Sequence, residues 1–412
     1  MRKEKEMNTI ETETTAQTVD ERLYGTSDPF GYEKLLTPEE KTQLSKLRAF
    51  LEEHVKPIVN DYWDRGEFPA HLIKQMAALD LISPPELTAN GTRPRSLYEG
   101  FRNFELARAD ASIATYFNGQ SGLFRTTILR GGSPEQVAKW LPLVDSFEMT
   151  GAFALTEANH GSDIAGGLKT SARRDGDRWI LNGEKRWIGS SKFADYQAVL
   201  ARDTEDGQIK AFLVKTDAPG MKLETIRGKI SMRMVQNSDI YLDNVEVSEE
   251  FRLQRINSFA DVAELLRSMR SGVAWFAVGV QAGAYEAALK YTTGREQFGR
   301  PIAGFQMIQD KLVGMLGNVI ASMGMVVQLS QQQDAGIYRD QDSAMAKAWT
   351  CSRMRETVAF AREVVGGNGV LLDTDVARFF ADAESIYTYE GTREINTLIV
   401  GRAITGLSAF TR

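Results

Sequence analysis

One cysteine, Cys351, and three histidines, His54, His71 and His160, are spread over 412 residues. A lone thiol closes no intramolecular disulfide, and ligand-type residues this sparse exclude a cysteine cluster and argue against a structural zinc; no metal is expected. No long basic run occurs, and 49 Lys and Arg against 55 Asp and Glu leave a net charge of -6. That balance speaks against nucleic acid or an anionic membrane as the main partner. A P-loop, an H-E-x-x-H pair and a G-x-S-x-G elbow are missing; Gly119-Gln120-Ser121-Gly122 has the wrong spacing. No apolar stretch is read as reaching the roughly 18 residues of a membrane span, so no membrane insertion is expected. The opening MRKEKEMNTIETETTAQTVDER lacks the apolar centre of a secretory signal and is too rich in glutamate for a transit peptide. These features predict a disordered tail over 1–35 and a soluble protein of a reducing compartment, the cytoplasm.

What is present is an ordinary globular mixture, 42% hydrophobic and 25% charged, in a 45.9 kDa chain long enough for about three domains. Thr37-Pro38-Glu39-Glu40 and Ser133-Pro134-Glu135-Gln136 each spell a capping box with proline at the first helical position. Leu44, Leu47, Leu51 and Val55 draw one stripe along the first helix. Residues 36–149 therefore predict a helical domain. Over 150–256 short β-type runs separated by turn residues replace this period, and Asn182-Gly183 predicts a type I′ hairpin turn. Over 257–412 helical periodicity returns in long Ala-, Leu- and Met-rich stretches, with Met315, Met323 and Met325 as core filler. The fold class expected is mainly α, with a β-barrel-like middle domain between an N-terminal helical domain and a C-terminal four-helix bundle.

By themselves Gly366-Gly367-Asn368-Gly369 fit a helix terminus or a tight turn equally well, and Glu390 fits an exposed helix-end carboxylate. Three separated segments change that weighting when taken together. Leu155-Thr156-Glu157-Ala158-Asn159-His160-Gly161-Ser162-Asp163 opens the β region. Arg295-Glu296-Gln297-Phe298-Gly299-Arg300-Pro301 continues to Gln306. The third runs from Glu363 through Gly366, Gly367, Gly369, Asp373 and Arg378 to Asp382, followed by Tyr389-Glu390-Gly391-Thr392. In this order, on a helical–β–helical layout, they resemble the acyl-CoA dehydrogenase family of flavoproteins over about 36–412. The end of the chain, Gly401-Arg402-Ala403-Ile404-Thr405-Gly406, is similar to the glutaryl-CoA dehydrogenase branch, and short-chain acyl-CoA oxidases lie near the same branch.

The resemblance implies FAD as cofactor and α,β-desaturation of an acyl-CoA thioester to the trans-2-enoyl-CoA. Glu390 would take the α-proton, in an apolar pocket that lifts its pKa, while flavin N5 takes the β-hydride. Gly391 would let the thioester approach the backbone, and Arg270 would stand beside the acyl-CoA pocket. Phe153, Leu155, Thr156, Gly161 and Ser162 would lie along the flavin, with Ser162 also touching the CoA arm, and Trp187, Ile188 and Gly189 would pack on it. Arg295, Phe298, Gln306, Glu363, Gly366, Gly367 and Thr392 would hold the adenine and pyrophosphate end, with Phe410 near the cofactor. Arg295 and the Gly366-Gly367 turn would come from different subunits of a homotetramer. An electron-transfer flavoprotein would collect the electrons.

Two departures from the family pattern bear on specificity. Glutaryl-CoA dehydrogenases carry an Arg-Ser pair at the substrate's distal carboxylate, where the run from Glu105 to Asp110 aligns Ala114 and Thr115 instead. Burying a carboxylate without that cation is costly, so an uncharged, short to medium acyl chain is expected over glutaryl-CoA. Most members read Trp-Ile-Thr where this chain has Trp187-Ile188-Gly189-Ser190. Losing the threonine opens space beside N5, as in plant peroxisomal short-chain oxidases, so an O₂-using oxidase is the runner-up. A non-catalytic CoA- or flavin-binding protein is disfavoured by the presence of Glu390.

Overall fold

The computed structural model describes residues 23–410 apart from Asn90 and Thr92. The expected tail thus falls in two parts. Residues 1–22 lie outside the described residues. Residues 23–35 correct the expectation: they form turns at Gly25–Ser27 and Tyr32–Leu35 that seal Tyr24 into the core and bond Glu33 to the backbone N–H of Leu23 and Tyr24. Tyr24 stacks on Phe101, so burial of one aromatic overrides the polar composition around it.

The N-terminal helices include α1 (Pro38–Phe50), α2 (Ser96–Ala109), α3 (Ala111–Asn118), α4 (Arg125–Gly131) and α5 (Pro134–Asp145). Both predicted capping boxes form, with Thr37 and Ser133 accepting from the backbone of Glu40 and Gln136. Asp110 ends α2, caps α3 through the N–H of Ile113 at 2.7 Å, and turns the chain there. A wide π turn, Gly119–Phe124, joins α3 to α4.

Seven strands follow: β1 (Gly151–Ala154), β2 (Ser171–Asp175), β3 (Arg178–Ile188), β4 (Tyr196–Asp203), β5 (Ile209–Lys215), β6 (Met221–Thr225) and β7 (Ser238–Ser248). They form one curled sheet of order β1-β4-β2-β3-β7-β6, with β5 on β4. Asn182-Gly183 is not a hairpin turn. It sits inside β3 at a bulge, with Gly183 at φ 142°, where a Cβ would come within 2.7 Å of Thr170 Cα. The β2–β3 turn is Gly176-Asp177, bracketed by the Asp175–Arg178 pair.

The C-terminal helices are α6 (Phe259–Gly294), α7 (Gln306–Asp334), α8 (Asp340–Val364), α9 (Val376–Thr388) and α10 (Arg393–Thr405). Helix α6 is the axis of the molecule and packs on α2, α7, α8 and α9. Its approach to α2 requires glycine: a Cβ at Gly279 would stand 2.4 Å from Phe104 O, and at Gly283 2.3 Å from Arg108 O. Helix α7 corrects one expectation, because it is long and apolar enough by composition to cross a membrane. Its Met315, Val319, Met323 and Val326 are buried against neighbouring helices, while Met307 and Val313 are exposed. One core joins the N-terminal helices to the bundle, a second lies between α4, α5 and the sheet, and a third fills the sheet's other face.

Candidate active site

Helix α9 ends at Thr388, and the chain reverses through two left-handed residues, Glu390 at φ 51° and Gly391 at φ 88°, before Thr392 caps α10. A glutamate in that region is held by its surroundings and not by its own preference. The holding groups are visible. Buried Lys347 of α8 donates to the carbonyls of Tyr389 and Gly391, and Asn396 Nδ2 donates to Gly391 O at 2.9 Å. Behind the turn, Arg378 and Asp110 pair at 2.5 Å, and Asp382 accepts from Trp63 Nε1 at 2.9 Å and Met232 N at 2.6 Å. Burial, then the nearby Asp110, push the Asp382 carboxyl up to about 7.

Glu390 Oε1 accepts from Asn118 Nδ2 at 2.9 Å, while Oε2 is shut away from solvent with no partner among the described residues. Burial drives this carboxyl up; Lys347, the Asn118 bond and Arg270 restrain it, leaving it at about 7. Arg270, buried on α6, pairs with Asp340, and its Nε is also buried without a partner among the described residues. Arg270 is near enough for its charge to act on the Glu390 carboxyl, so the unpartnered donor and acceptor lie in one neighbourhood. Thr115 Oγ1 stands 3.3 Å from the Tyr389 hydroxyl at the side of it. Ala114, expected beside the substrate, is instead sealed in the core at 0% exposure, because it lies on the inner face of α3.

The flavin candidates separate into two groups. Phe153 and Leu155 continue β1 into the loop carrying Thr156, Gly161 and Ser162. Arg186 N donates to Thr156 O at 2.7 Å, which joins this loop to Trp187, Ile188 and Gly189 at the end of β3. A second bulge there sets Trp187 at φ 65° and leaves it 51% exposed, while Ile188 turns into the core. The expected cluster omitted what anchors the loop: Lys185 Nζ reaches Glu157 Oε1 at 2.9 Å and Leu155 O at 3.1 Å. Burial would raise the Glu157 carboxyl, but Lys185 and the N–H groups of Lys169 and Thr170 take it down to about 2.

Arg295, Phe298, Gln306, Glu363, Gly366 and Gly367 form the second group at the far end of the bundle. Arg295 lies 25 residues beyond Arg270 along or just past one helix, about 37 Å at 1.5 Å per residue. Asn368 Nδ2 bonds the Tyr291 hydroxyl at 2.9 Å, and Lys311 pairs with Glu363 at 3.1 Å, so these segments are neighbours within one chain. Within one chain Arg295 and the Gly366-Gly367 turn thus stand near each other, and both are remote from the Glu390 group. Thr392 also moves, since it adjoins Glu390 and spends its hydroxyl on the N–H of Ile395. Phe410 lies past the end of α10, 40% exposed. The exposed surfaces of both groups suit a flavin dinucleotide. Trp187 offers an aromatic face, a Cβ at Gly189 would meet nothing nearer than 3.6 Å, Gly366 and Gly367 leave open backbone, and Phe298 is 94% exposed.

Asn118, Lys347 and Lys185 were not singled out from the sequence. A polar residue just before a Gly-x-x-Gly π turn was a usable signal for Asn118; nothing local marked the two lysines.

Comparison with known proteins follows the same division of the chain. Residues 37–148, 152–245 and 259–405 match the family descriptions "Acyl-CoA dehydrogenase" N-terminal, middle and C-terminal domain. Relatives include a 3-(aryl)acrylate reductase of Clostridium sporogenes, 33% identical over 86% of this chain and 95% of that protein. An acyl-CoA dehydrogenase of Bacillus subtilis is 30% identical over 90% of this chain and 99% of its own length. A caffeyl-CoA reductase-Etf complex subunit of Acetobacterium woodii is 30% identical over 88% and 97%. Glutaryl-CoA dehydrogenase of Mycobacterium smegmatis superposes with a TM-score of 0.88 at 35% identity, covering 94% of this chain and 100% of that one. A glutaryl-CoA dehydrogenase of the same organism in complex with FADH2 superposes with a TM-score of 0.88 at 31% identity and the same coverage. The chain belongs to the acyl-CoA dehydrogenase family, whose members are FAD-dependent oxidoreductases acting on acyl-CoA.

Proposed function

We propose that the chain interconverts an acyl-CoA with an uncharged, short to medium acyl group and its trans-2-enoyl-CoA, with Glu390 as the base at the α-carbon. The observation that carries this reading is the buried, unpartnered Oε2 of Glu390, half ionised near pH 7. Bound FAD supplies the hydride acceptor. Glu390 takes the α-proton through Oε2 while Asn118 keeps Oε1 in place. Gly391 allows a thioester carbonyl close to the backbone, and Arg270 Nε offers a donor. Two relatives carry reductase names, and reversal of the same step would have Glu390 return the proton. An uncharged acyl group is supported by the uncharged Thr115 beside Tyr389, with Arg270 already committed to Asp340.

An electron-transfer flavoprotein as electron acceptor is supported by the Etf complex to which the Acetobacterium relative belongs. A homo-oligomer, in the family a tetramer, is supported by the remoteness of Arg295 from Arg270, 25 residues back along α6. A cytoplasmic location is consistent with one buried thiol. The open space at Gly189 supports a second reading, an oxidase. Anaerobic mixing with butyryl-, isobutyryl- and glutaryl-CoA tests the main reading: flavin bleaching by the first two is expected, and Glu390→Gln should keep flavin and lose bleaching. Bleaching of that variant at the native rate overturns the base assignment. Rapid reoxidation by air with peroxide release selects the oxidase.

A further inference from the structure

Lys347 lies on α8 facing the reversal that carries Glu390, and it is 1% exposed. A buried ammonium is ordinarily matched by a carboxylate. Among the described residues Lys347 makes no such pair. Its ammonium donates to the carbonyls of Tyr389 and Gly391, the two residues that flank Glu390. Both peptide groups of the turn are thereby drawn toward α8. With its flanking carbonyls pointing one way, the left-handed Glu390 must send its side chain the other way, toward Asn118. Gly391 O is held doubly, because Asn396 Nδ2 reaches it as well.

The charge has a second consequence. The groups facing Glu390 are Asn118 from α3, Arg270 from α6 and Lys347 from α8. Arg270 is committed to Asp340, and Asn118 is neutral. Lys347 is therefore the nearby cation whose field no carboxylate cancels. Its other neighbours are Arg270 and the buried thiol of Cys351, one turn along α8, which burial pushes up to about 11 and which is therefore neutral. Lys347 itself is lowered to about 8 by burial, so it remains largely protonated at neutral pH.

We propose that Lys347 is a positioning residue for the catalytic base: it clamps the carbonyls on either side of Glu390, fixes the left-handed turn that aims the carboxylate, and supplies the positive charge that keeps it ionisable while buried. This rests on Glu390 being the base. Without the ammonium, burial acts unopposed apart from Asn118 and the paired Arg270, and the carboxyl titrates higher. The turn also loses the bonds that force its conformation.

The experiment compares native protein, Lys347→Met and Lys347→Arg, each with FAD bound. The protonated carboxyl of Glu390 is followed by infrared absorption against pH, with Glu390→Gln as the subtraction reference. Bleaching by butyryl-CoA is followed over the same range. The native midpoint is expected near 7. In Lys347→Met it should move up by about one unit or more, with bleaching at pH 7 reduced about 100-fold. Lys347→Arg should keep the midpoint within about half a unit, since it retains the charge, while its rate falls because the fork cannot reproduce both bonds. An unmoved midpoint and rate in Lys347→Met overturn the proposal. If Lys347→Met does not fold, a shift of more than about one unit in Lys347→Arg overturns it. Should Glu390→Gln itself bleach normally, the failure lies with the base assignment and not with Lys347.

Discussion

Asn118 Nδ2 donates to Oε1 of Glu390 at 2.9 Å, and this one bond decides which carboxylate oxygen is free to react. The amide is itself pinned: a Cβ at Gly122 would strike Asn118 Oδ1 at 2.0 Å, so only glycine one turn later leaves room for it. Asn118 is the last residue of α3 before the chain widens into the π turn, where the backbone can present a side chain inward.

A hydrogen bond to the charged form of a carboxylate favours ionisation. Asn118→Ala should therefore move the pH of half-maximal bleaching upward by about one unit, and Asn118→Asp further, by adding a like charge. A pH–rate series on the three proteins checks this; an order other than Asn below Ala below Asp removes Asn118 from the account.

Glu390 also has a signature in stability. Its carboxyl is raised to about 7 in the folded chain, against about 4.3 in an unfolded one. Between these values the unfolded state surrenders its proton first, so the contribution present below about pH 4 is lost as pH rises through 7. Glu390→Gln, which never ionises, should melt higher than native protein at pH 8 and no higher at pH 4. Melting curves at both pH values test the sign.

The buried pair Lys185–Glu157 anchors the loop that carries Thr156 and Ser162. Removing one partner strands the other, so Lys185→Met should cost about 3–5 kcal/mol in denaturant unfolding and lower flavin retention. Adding Glu157→Gln should recover part of that loss, which a double-mutant cycle measures.

Arg295 stands with the second cofactor group, remote from Glu390. Arg295→Ala should lower the FAD to protein ratio after gel filtration while the pH of half-maximal bleaching in the flavin-loaded fraction stays unchanged. A displaced pH midpoint would mean that the two groups communicate.

Much of the architecture was legible because local signals act locally. Thr37 and Ser133 cap their helices as their spacing requires, and the period change near residue 150 coincides with the first strand. The misreadings had non-local causes. Asn182-Gly183 has turn chemistry, yet pairing of β3 with β7 on one side and the closeness of Thr170 on the other make it a bulge. Tyr24 looked like part of a polar tail because Phe101, on which it stacks, lies 77 residues away. Ala114 and Thr115 are adjacent in sequence, but the rotation of about 100° between successive helical residues sends the first into the core and the second toward Tyr389.

The amino-acid order determined which residues were chemically able to act: a carboxylate at 390 before a glycine, a tryptophan before an isoleucine and a glycine at 187–189, glycines at 366 and 367. Those are properties of side chains and short runs, carried wherever the chain goes. Which of them meet was decided by packing. Lys347 and Asn118 come to Glu390 from helices 43 and 272 residues distant, and the rigid length of α6 keeps Arg295 away from all three. Desolvation and electrostatic field depend on what surrounds a group in space, so the raised carboxyl of Glu390 exists in the fold and nowhere in the linear order.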